Sequence, residues 1–462
     1  MAAGLALAAC GGGDDDTSAE PDESAADTGE AEDTAEGSDD GDADATTSEP
    51  ATEDEAPSGD AVPLRWRTQA ANQSEADVYT DISNEIDADL PHLDISYEAG
   101  ANDGTSYTDL LKTELASGTA PDVFWIPGAS IADFATRDLL LDMRDIADAT
   151  DHSDSDFYEG PMYHLTYDHE AGEPGGTLWG LPRDVSTFAL YLNLDLIAEA
   201  GAEDPRDLAA NGEWNWTTLQ EVSEDITALG GEVRGFGADA WWGTWSYWVN
   251  AAGGGMYNED RTACGLDSAE SLEGLTFARD FFASGNTVSW GENSSEPFLA
   301  GSVGMNVTGR WTVPAVRSLA EFNWDVVKLP DGPGGPSNWL FWGAYVVNAE
   351  TEHPEEAWEL VQALTSPDVQ QGLSELGTNI PSRSDQENID AFLTYSPPEN
   401  NQAFIQGLTE NPETEGPLWN GSWPAFYDTV NSRVVDVISG DESIESFADT
   451  ICTEANNAAF GG

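Results

Sequence analysis

The 462-residue sequence is poor in basic side chains: 15 Lys and Arg stand against 88 Asp and Glu, for a formal net charge of −73. So acidic a surface repels phosphate backbones and anionic lipid headgroups, which excludes nucleic acid as a partner. Long apolar runs are also missing, and without about 18 consecutive apolar residues no segment is predicted to span a membrane as a helix. The length is sufficient for two or three domains with sizeable cores.

The acidic side chains are concentrated in one segment but are not confined to it. Residues 11–60 contain 20 Asp or Glu, no Lys or Arg, and no Val, Ile, Leu, Met or aromatic residue. Such a segment cannot bury enough apolar surface to offset the entropy of ordering, so it is predicted to be a disordered, extended tether. Residues 61–462 still hold 68 acidic against 15 basic side chains, a net charge of −53. Because concentrated salt screens such self-repulsion, we expect a salt-loving source and a halophilic acidic surface.

Residues 1–10, MAAGLALAAC, are typical of the end of a signal peptide for export. Leu7 to Cys10 resemble the lipobox of bacterial lipoproteins, in which the Cys receives a lipid and becomes the mature N-terminus. Cys10 is therefore the predicted lipidation site. The positively charged start of a signal peptide is missing, which a start site assigned too far downstream would explain; chance alanines are the alternative. We expect an extracytoplasmic protein anchored to the outer face of the cytoplasmic membrane through its lipidated Cys alone.

Cysteine is scarce, and only Cys264 and Cys452 follow Cys10. An exported chain meets an oxidising compartment, which favours a disulfide between these two residues. Two buried free thiols, which behave as small apolar side chains, are the alternative, because the sequence does not supply the Cα separation.

After Pro63 the sequence alternates short apolar strands with helices of roughly 10–15 residues. Val78, Ile82 and Ile86 recur at helical spacing between two of these strands. Strands that alternate with helices favour a parallel α/β architecture. The predicted strands are Leu64–Thr68, Leu93–Tyr97 and Asp122–Ile126, and the predicted helices are Glu75–Leu90, Tyr107–Ser117 and Ile131–Leu139.

Several short segments occur in an order and spacing that resemble one known family. Ser117–Trp125 reads SGTAPDVFW and is similar to a family strand that follows the pattern SG-x-x-PD. Leu178–Pro182, followed by Leu190–Asn193, is similar to a second family segment, and Pro297–Trp311 and Ile380–Arg383 supply further matches. Together, and behind a lipobox, they resemble the bacterial extracellular solute-binding proteins of family 1, the maltose-binding-protein-like substrate-binding lipoproteins of ABC sugar transporters.

This resemblance implies an α/β, two-lobe periplasmic-binding-protein-like fold of type II. The lobes of that fold are joined by crossing hinge strands, and the ligand lies in the cleft between them. Carried onto this sequence, the N-terminal lobe comprises residues 61–182 plus 331–381. The C-terminal lobe comprises residues 183–330 plus 382–462.

Motifs for catalysis, nucleotide binding and metal binding are missing. There is no G-x-x-x-x-G-K-[ST] loop for ATP, no G-x-S-x-G turn and no H-E-x-x-H motif. The five His are scattered, and the acidic stretch Asp151–Glu159 lacks the Gly and Glu that a calcium loop needs. We therefore predict no cofactor, no metal site and no enzymatic activity. A carboxylate pair for glycoside hydrolysis is left open, although nothing singles one out.

Tryptophan is abundant, with 17 residues that are partly clustered. Core packing explains isolated Trp but poorly explains four Trp among residues 241–248, which would point in every direction around a helix. Flat aromatic faces stack on the C–H faces of sugar rings and supply contact area at low entropic cost. We therefore predict that Trp242 or Trp245, and Trp339 or Trp342, line a ligand cleft. A satellite hydrophobic cluster is the alternative.

The family resemblance adds further candidates for ligand contacts. It implies aromatic contacts at Trp311 and around Trp419 and Trp423. Arg310 departs from the family pattern and is expected to bind vicinal hydroxyls or a carboxylate, with an interlobe salt bridge as the alternative. The implied first-lobe and hinge contacts are Gln69, Trp125, Asp184 and Ser186.

The predicted function is that of a lipid-anchored substrate-binding protein. It would capture a mono- or oligosaccharide outside the cell and deliver it to the permease subunits of an ABC importer, whose ATPase is a separate chain. The partners are thus a carbohydrate, the permease and, through the lipid anchor only, a membrane; we expect a monomer. The alternatives are a non-sugar solute in the same fold, an exported glycoside hydrolase and a surface adhesin.

Overall fold

The computed structural model describes residues 61–70, 73–100, 105–377 and 379–461. The predicted lipidation site Cys10 and the predicted tether 11–60 lie outside these ranges. Within the ranges, none of the helices combines the length and the apolar character needed to cross a membrane.

Strands and helices alternate along the chain, as expected for an α/β protein. The strands are β1 Val62–Thr68, β2 Leu93–Ala99, β3 Val123–Pro127, β4 Tyr167–Asp168, β5 Glu173–Pro174, β6 Gly180–Ser186, β7 Phe188–Asn193, β8 Arg234–Ala238, β9 Val303–Gly309, β10 Trp324–Val327, β11 Asn338–Val347, β12 Ile380–Pro381 and β13 Pro412–Thr414. The α-helices are α1 Gln73–Asp89, α2 Thr105–Ser117, α3 Ile131–Ala135, α4 Arg144–Ala147, α5 Glu159–Leu165, α6 Leu194–Ala200, α7 Pro205–Asn211, α8 Trp216–Thr227, α9 Trp242–Ala251, α10 Ala269–Phe282, α11 Ser295–Leu299, α12 Val313–Leu319, α13 Pro354–Leu364, α14 Pro367–Leu376, α15 Gln386–Thr394, α16 Gln402–Thr409, α17 Trp423–Ser439 and α18 Ile444–Ala459. Short 3₁₀ helices span Gly128–Ser130, Asp154–Asp156 and Arg310–Thr312.

Two large sheets organise the described residues, and β4 and β5 form a separate two-stranded antiparallel sheet. The first has the strand order β12-β6-β11-β3-β1-β2, with β13 beside β11. Its strands β1, β2 and β3 are parallel because helices connect them, whereas β11 runs antiparallel to both β3 and β6. The second sheet has the order β10-β7-β9-β8, in which only β8 and β9 are parallel.

The chain passes from the first sheet to the second at Thr187, the single residue between β6 and β7. The Thr187 hydroxyl donates a hydrogen bond to the Phe404 carbonyl, at 2.9 Å, which fixes the crossing. β6 remains paired in the first sheet up to Ser186, so the lobe boundary predicted at residue 182 falls inside this strand. The crossing therefore positions Asp184 and Ser186 between the two sheets.

Each of the two large sheets has its own hydrophobic core. Trp66 and Trp358 are fully buried in the first core, and Trp214, Trp245 and Trp248 in the second. Burial of such large side chains is the main source of stability in domains of this size.

Cys264 and Cys452 form a disulfide, with their Cα atoms 5.1 Å apart. The bond joins the loop before α10 to the C-terminal helix α18. The alternative of two free thiols is therefore wrong for this structure.

Candidate functional site

A cavity of about 660 Å³ lies where elements of both sheets converge. One wall is built by the ends of β1, β3 and β6 and by the middle of β11; the opposite wall is built by the starts of α9 and α17 and by the 3₁₀ helix after β9. The lining residues are Gln69, Ala70, Glu75, Trp125, Pro127, Ala129, Ser130, Arg183, Asp184, Ser186, Trp241, Trp242, Trp311, Phe341, Trp342, Gly343, Asn379, Glu415 and Trp423.

Aromatic rings dominate these walls. Six of the lining residues are Trp and one is Phe. Trp242 meets Trp241 and Trp423 edge to face, with ring centroids 5.2 and 5.4 Å apart, and Trp311 meets Phe341 at 5.5 Å. Such edge-to-face contacts hold one ring against the next and keep the orientation of each ring fixed.

The local sequence explains how the Trp cluster at 241–248 divides between cavity and core. Helix α9 begins at Trp242, and the Thr244 hydroxyl caps it by accepting a hydrogen bond from the Trp241 N–H, at 3.3 Å. The two Trp at this helix start face the cavity. Further along the helix, Trp245 and Trp248 are directed into the second core.

Glycine allows the large rings to pack against the sheet. A Cβ atom at Gly343 would lie 2.0 Å from the Nε1 atom of Trp125, and one at Gly128 would lie 2.4 Å from the ring of Trp342. Neither position could carry a side chain without displacing a Trp from the cavity wall.

Arg183 and Asp184, neighbouring residues of β6, form an ion pair in the cavity wall. The Arg183 guanidinium donates to both carboxylate oxygens of Asp184, at 3.1 and 3.0 Å, and to Thr68 and Gln69, at 2.6 and 3.0 Å. It also lies over the ring of Trp125, 4.6 Å from the centroid. Burial alone would lower the pKa of Arg183, but the attraction of Asp184 and the hydrogen bonds to this carboxylate raise it well above the ordinary value. The pair carries no net charge, and the hydrogen bonds of Arg183 to Thr68 and Gln69 tie β6 to the end of β1.

Two further carboxyl groups line the cavity. Glu75 accepts a hydrogen bond from the Tyr79 hydroxyl, at 3.0 Å. Burial raises the pKa of Glu415 to about 8, although backbone N–H groups of Trp342 and Ala129 favour its ionised form. At neutral pH the Glu415 carboxyl is therefore mostly protonated and can both donate and accept a hydrogen bond.

Two buried donors in the walls have no hydrogen-bond partner among the described residues. They are the indole Nε1 of Trp125 and the amide Nδ2 of Asn379. Unpaired buried donors are costly, and a ligand oxygen in the cavity would satisfy them.

Eight of the twelve residues predicted to contact a ligand line this one cavity. They are Gln69, Trp125, Asp184, Ser186, Trp242, Trp311, Trp342 and Trp423. The other four do not line it, for a different physical reason in each case.

Trp245 and Arg310 are fully buried elsewhere. Trp245 lies in the second core, where its indole N–H donates to the Asn431 amide oxygen at 3.1 Å. Arg310 lies between the rings of Phe392 and Phe404 and donates to the Gly377 carbonyl at 2.9 Å. Burial lowers the pKa of Arg310 to about 9, and no carboxylate of the described residues pairs with it. Both the predicted ligand contact and the predicted interlobe salt bridge of Arg310 are thus wrong.

Trp339 and Trp419 lie outside the cavity but close to it. Trp339 is buried behind Trp242, with ring centroids 5.0 Å apart, and supports its orientation. Trp419 lines a different cavity, together with Tyr163 and Tyr167.

Sequence reasoning missed several lining residues. Trp241 could have been found as the partner of Trp242, and Phe341 as the neighbour of Trp342. Glu75, Asn379 and Glu415 carry no local signal, since chain folding alone brings them to the cavity. The lining residues that the sequence analysis did not propose are Ala70, Glu75, Pro127, Ala129, Ser130, Arg183, Trp241, Phe341, Gly343, Asn379 and Glu415.

Two β-sheets with flanking helices, a chain that passes between them at Thr187 and an aromatic cavity at this crossing define a two-lobe binding protein of the periplasmic type. Residues 40–396 match the sequence model of the bacterial extracellular solute-binding proteins, and the chain belongs to this family.

Several known proteins are similar to this chain in sequence or in fold. The chain is 22% identical over 371 residues to a maltooligosaccharide ABC transporter solute-binding lipoprotein of Streptococcus pneumoniae, a match over 76% of this chain and 80% of that protein. An ABC substrate-binding protein of Listeria monocytogenes in complex with cycloalternan has a TM-score of 0.75 at 20% identity, over 86% of this chain and 99% of that one. A Mycobacterium tuberculosis protein in complex with glycerophosphocholine has a TM-score of 0.72 at 15% identity, over 86% and 98%. At these identities the solved structures establish the fold and leave the ligand open.

Proposed function

We propose that the protein binds a carbohydrate outside the cell and delivers it to an ABC import permease. The observation that carries this proposal is the cavity, in which seven aromatic rings surround hydrogen-bonding groups. Sugar rings present apolar C–H faces that stack on aromatic rings and a rim of hydroxyls that pair with polar groups. Trp125, Asn379 and Glu415 supply such groups.

The charges in the cavity favour a neutral sugar over a phosphodiester such as the ligand of the Mycobacterium tuberculosis protein. Binding of a phosphate calls for a cationic donor, and Arg183 is the single basic residue among those that line the cavity. Its guanidinium already pairs with Asp184 and bonds Thr68, so a phosphate would compete with an existing ion pair.

The transport role and the anchor belong to the same proposal. Closure of the two lobes on the sugar would give the permease a form that differs from the empty protein, and a separate ATPase would drive import. A lipid on Cys10 would hold the protein at the outer face of the membrane as a monomer. The proposal includes no chemical change to the sugar.

A thermal-shift screen in molar KCl tests the ligand class. A ligand that binds only the folded protein raises its melting temperature, so we expect shifts with malto- or galacto-oligosaccharides. The matched control is Leu110→Ala, at an exposed position on α2 away from the cavity, which should respond like the wild type. A shift with glycerophosphocholine and none with any sugar would contradict the proposal.

Two further measurements test the remaining parts. Radiolabelled palmitate should be incorporated into the exported protein and not into Cys10→Ser. Chromatography of the incubated sugar should recover it intact, whereas hydrolysis products would indicate a glycosidase.

A further inference from the structure

Two neighbouring arginines in this acid-rich protein have no carboxylate partner among the described residues. Twelve of the 15 Lys and Arg residues form an ion pair with Asp or Glu within the part of the chain that the structure describes. The exceptions are Arg234, Arg310 and Arg317. Because residues 61–462 hold 68 acidic side chains, partners are plentiful, and two adjacent guanidinium groups without one call for an explanation.

The guanidinium groups of Arg310 and Arg317 lie side by side at Gly377, the residue that ends α14. Nε of Arg310 donates to the Gly377 carbonyl at 2.9 Å. A Cβ atom at Gly377 would lie 2.5 Å from Nη1 of Arg317. Burial and, to a smaller extent, repulsion by Arg317 lower the pKa of Arg310. The two positive charges are therefore close enough to destabilise each other.

Aromatic rings surround both groups. Arg310 is fully buried, and its guanidinium carbon lies 4.6 and 4.9 Å from the ring centroids of Phe392 and Phe404. The guanidinium carbon of Arg317 lies 3.8 Å from the ring centroid of Tyr395. A ring face attracts a cation but carries no opposite charge, so neither guanidinium is neutralised by its surroundings.

Three nitrogen atoms of these two groups are buried without an acceptor among the described residues. They are Nη2 of Arg310 and both Nη1 and Nη2 of Arg317. Nη1 of Arg310 donates to the Asn401 amide oxygen, and Nε of Arg317 donates to the Pro397 carbonyl. Buried donors without an acceptor cost stability, and here that cost adds to the repulsion of two like charges. A small anion between the two groups would remove both costs.

We propose that Arg310 and Arg317 together bind a chloride ion. The ion would lie where the segment that follows β9 of the second sheet meets the turn that precedes β12 of the first. The cost of dehydrating an ion rises with the square of its charge, so a site among aromatic rings favours a monovalent anion over sulfate or phosphate. The net charge of −53 also repels divalent anions more strongly than chloride. Neither arginine lines the sugar cavity, so this inference does not depend on the proposed function.

Chloride titrations at a constant, molar potassium concentration test the site. Potassium glutamate would replace potassium chloride, because glutamate is too large for a buried site between two side chains. Denaturant titrations would give the equilibrium constant of unfolding for wild type and Arg317→Gln. Relative to Arg317→Gln, this constant should fall about tenfold in the wild type for each tenfold rise in chloride above the dissociation constant, as expected for one ion that binds only the folded protein.

Arg234→Gln is the matched control. It removes the same charge from a guanidinium that donates to the Val233 carbonyl at 2.8 Å, and it should keep the chloride dependence of the wild type. Equal chloride dependence in the wild type, Arg317→Gln and Arg234→Gln would overturn the proposal. A difference between wild type and Arg317→Gln that appears with sulfate and not with chloride would indicate an oxyanion site and would also overturn it.

Anomalous diffraction provides a second measurement, which needs only the wild type and so does not depend on how well Arg317→Gln folds. Bromide resembles chloride in charge and size, so crystals grown in molar KBr should show a bromide ion in contact with both Arg310 and Arg317. Density for bromide that is missing from this position would contradict the site. Bromide bound there without any effect of chloride on unfolding would mean an adventitious ion only, and the proposal would fall.

Discussion

Two tryptophans that pack in or against the second core provide a direct test of the site assignment. Trp311 is partly exposed in the cavity wall and contacts Phe341 at 5.5 Å and Trp241 at 6.3 Å. Trp245 is fully buried in the second core, where its N–H bonds Asn431. Replacing each by Ala removes the same ring from two different environments.

The structure predicts opposite effects for the two variants. Trp245→Ala leaves a cavity in a packed core and should lower the free energy of unfolding by about 3–5 kcal/mol. It should leave sugar affinity within the error of the measurement. Trp311→Ala removes a ring that lines the cavity and that, under the proposed function, stacks on the sugar; it should weaken binding by about 1–3 kcal/mol, or roughly ten- to a hundredfold. Because Trp311 is only partly buried, its loss should cost less stability than that of Trp245.

Two measurements on each variant check this prediction. Calorimetric titration with the best oligosaccharide of the screen gives the affinity, and denaturant titration at the same molar KCl concentration gives the free energy of unfolding. An unchanged dissociation constant for Trp311→Ala together with a large loss of stability would place Trp311 in the core and refute the site. Intrinsic fluorescence adds an independent readout, since a ligand among six Trp should change the emission of the wild type.

Three further predictions concern charge, protonation and the disulfide. Burial raises the pKa of Glu415 to about 8 from an ordinary 4.5. Between these two pH values the folded state binds more protons than the unfolded state, so the free energy of unfolding should fall as the pH rises. Denaturant titrations should show that the free energy of unfolding of Glu415→Gln depends less on pH in this range. Transfer from molar to millimolar KCl should lower the melting temperature through self-repulsion of the −53 charge, and equal melting temperatures would contradict the salt adaptation. Cys264→Ser should lower the free energy of unfolding by about 2–5 kcal/mol. When the protein is unfolded without reduction and then alkylated, Cys452 should stay unlabelled in the wild type and become labelled in Cys264→Ser.

The secondary structure of the first part of the described chain could be predicted from the local pattern of apolar residues. The strand predicted at Leu64–Thr68 corresponds to β1, and the helix predicted at Tyr107–Ser117 corresponds to α2, because apolar spacing reports which face of an element is buried. The helix predicted at Ile131–Leu139 is wrong in length. α3 ends at Ala135, and Asp138 takes a positive φ of 57°, which is incompatible with a continuing helix.

The aromatic part of the site could be predicted and the carboxyl part could not. A cluster of Trp residues is rare enough to indicate a ligand-binding surface. The family resemblance indicated which ends of the strands and helices face the cleft. Composition cannot say which Trp of a cluster faces the cavity, and this is why the choice between Trp242 and Trp245, and between Trp339 and Trp342, was left open; the structure places Trp242 and Trp342 in the cavity wall. Glu75 and Glu415 are two of 88 acidic residues, and the sequence around them does not distinguish them from the others. They reach the cavity only because the folded chain brings distant segments together.

The charge of the cavity differs from that of the surface around it, and this difference bears on the choice of ligand. Asp184 is neutralised by Arg183, and Glu415 is kept mostly protonated by burial, so these two carboxyl groups add little net negative charge to the cavity. In molar salt the Debye length is about 3 Å, so attraction between exposed charges contributes little to capture of a solute. Stacking and short hydrogen bonds persist under those conditions. A protein that worked in concentrated salt, as its −53 charge predicts, would therefore bind best a solute that uses these short-range contacts, which a neutral oligosaccharide does along its whole length.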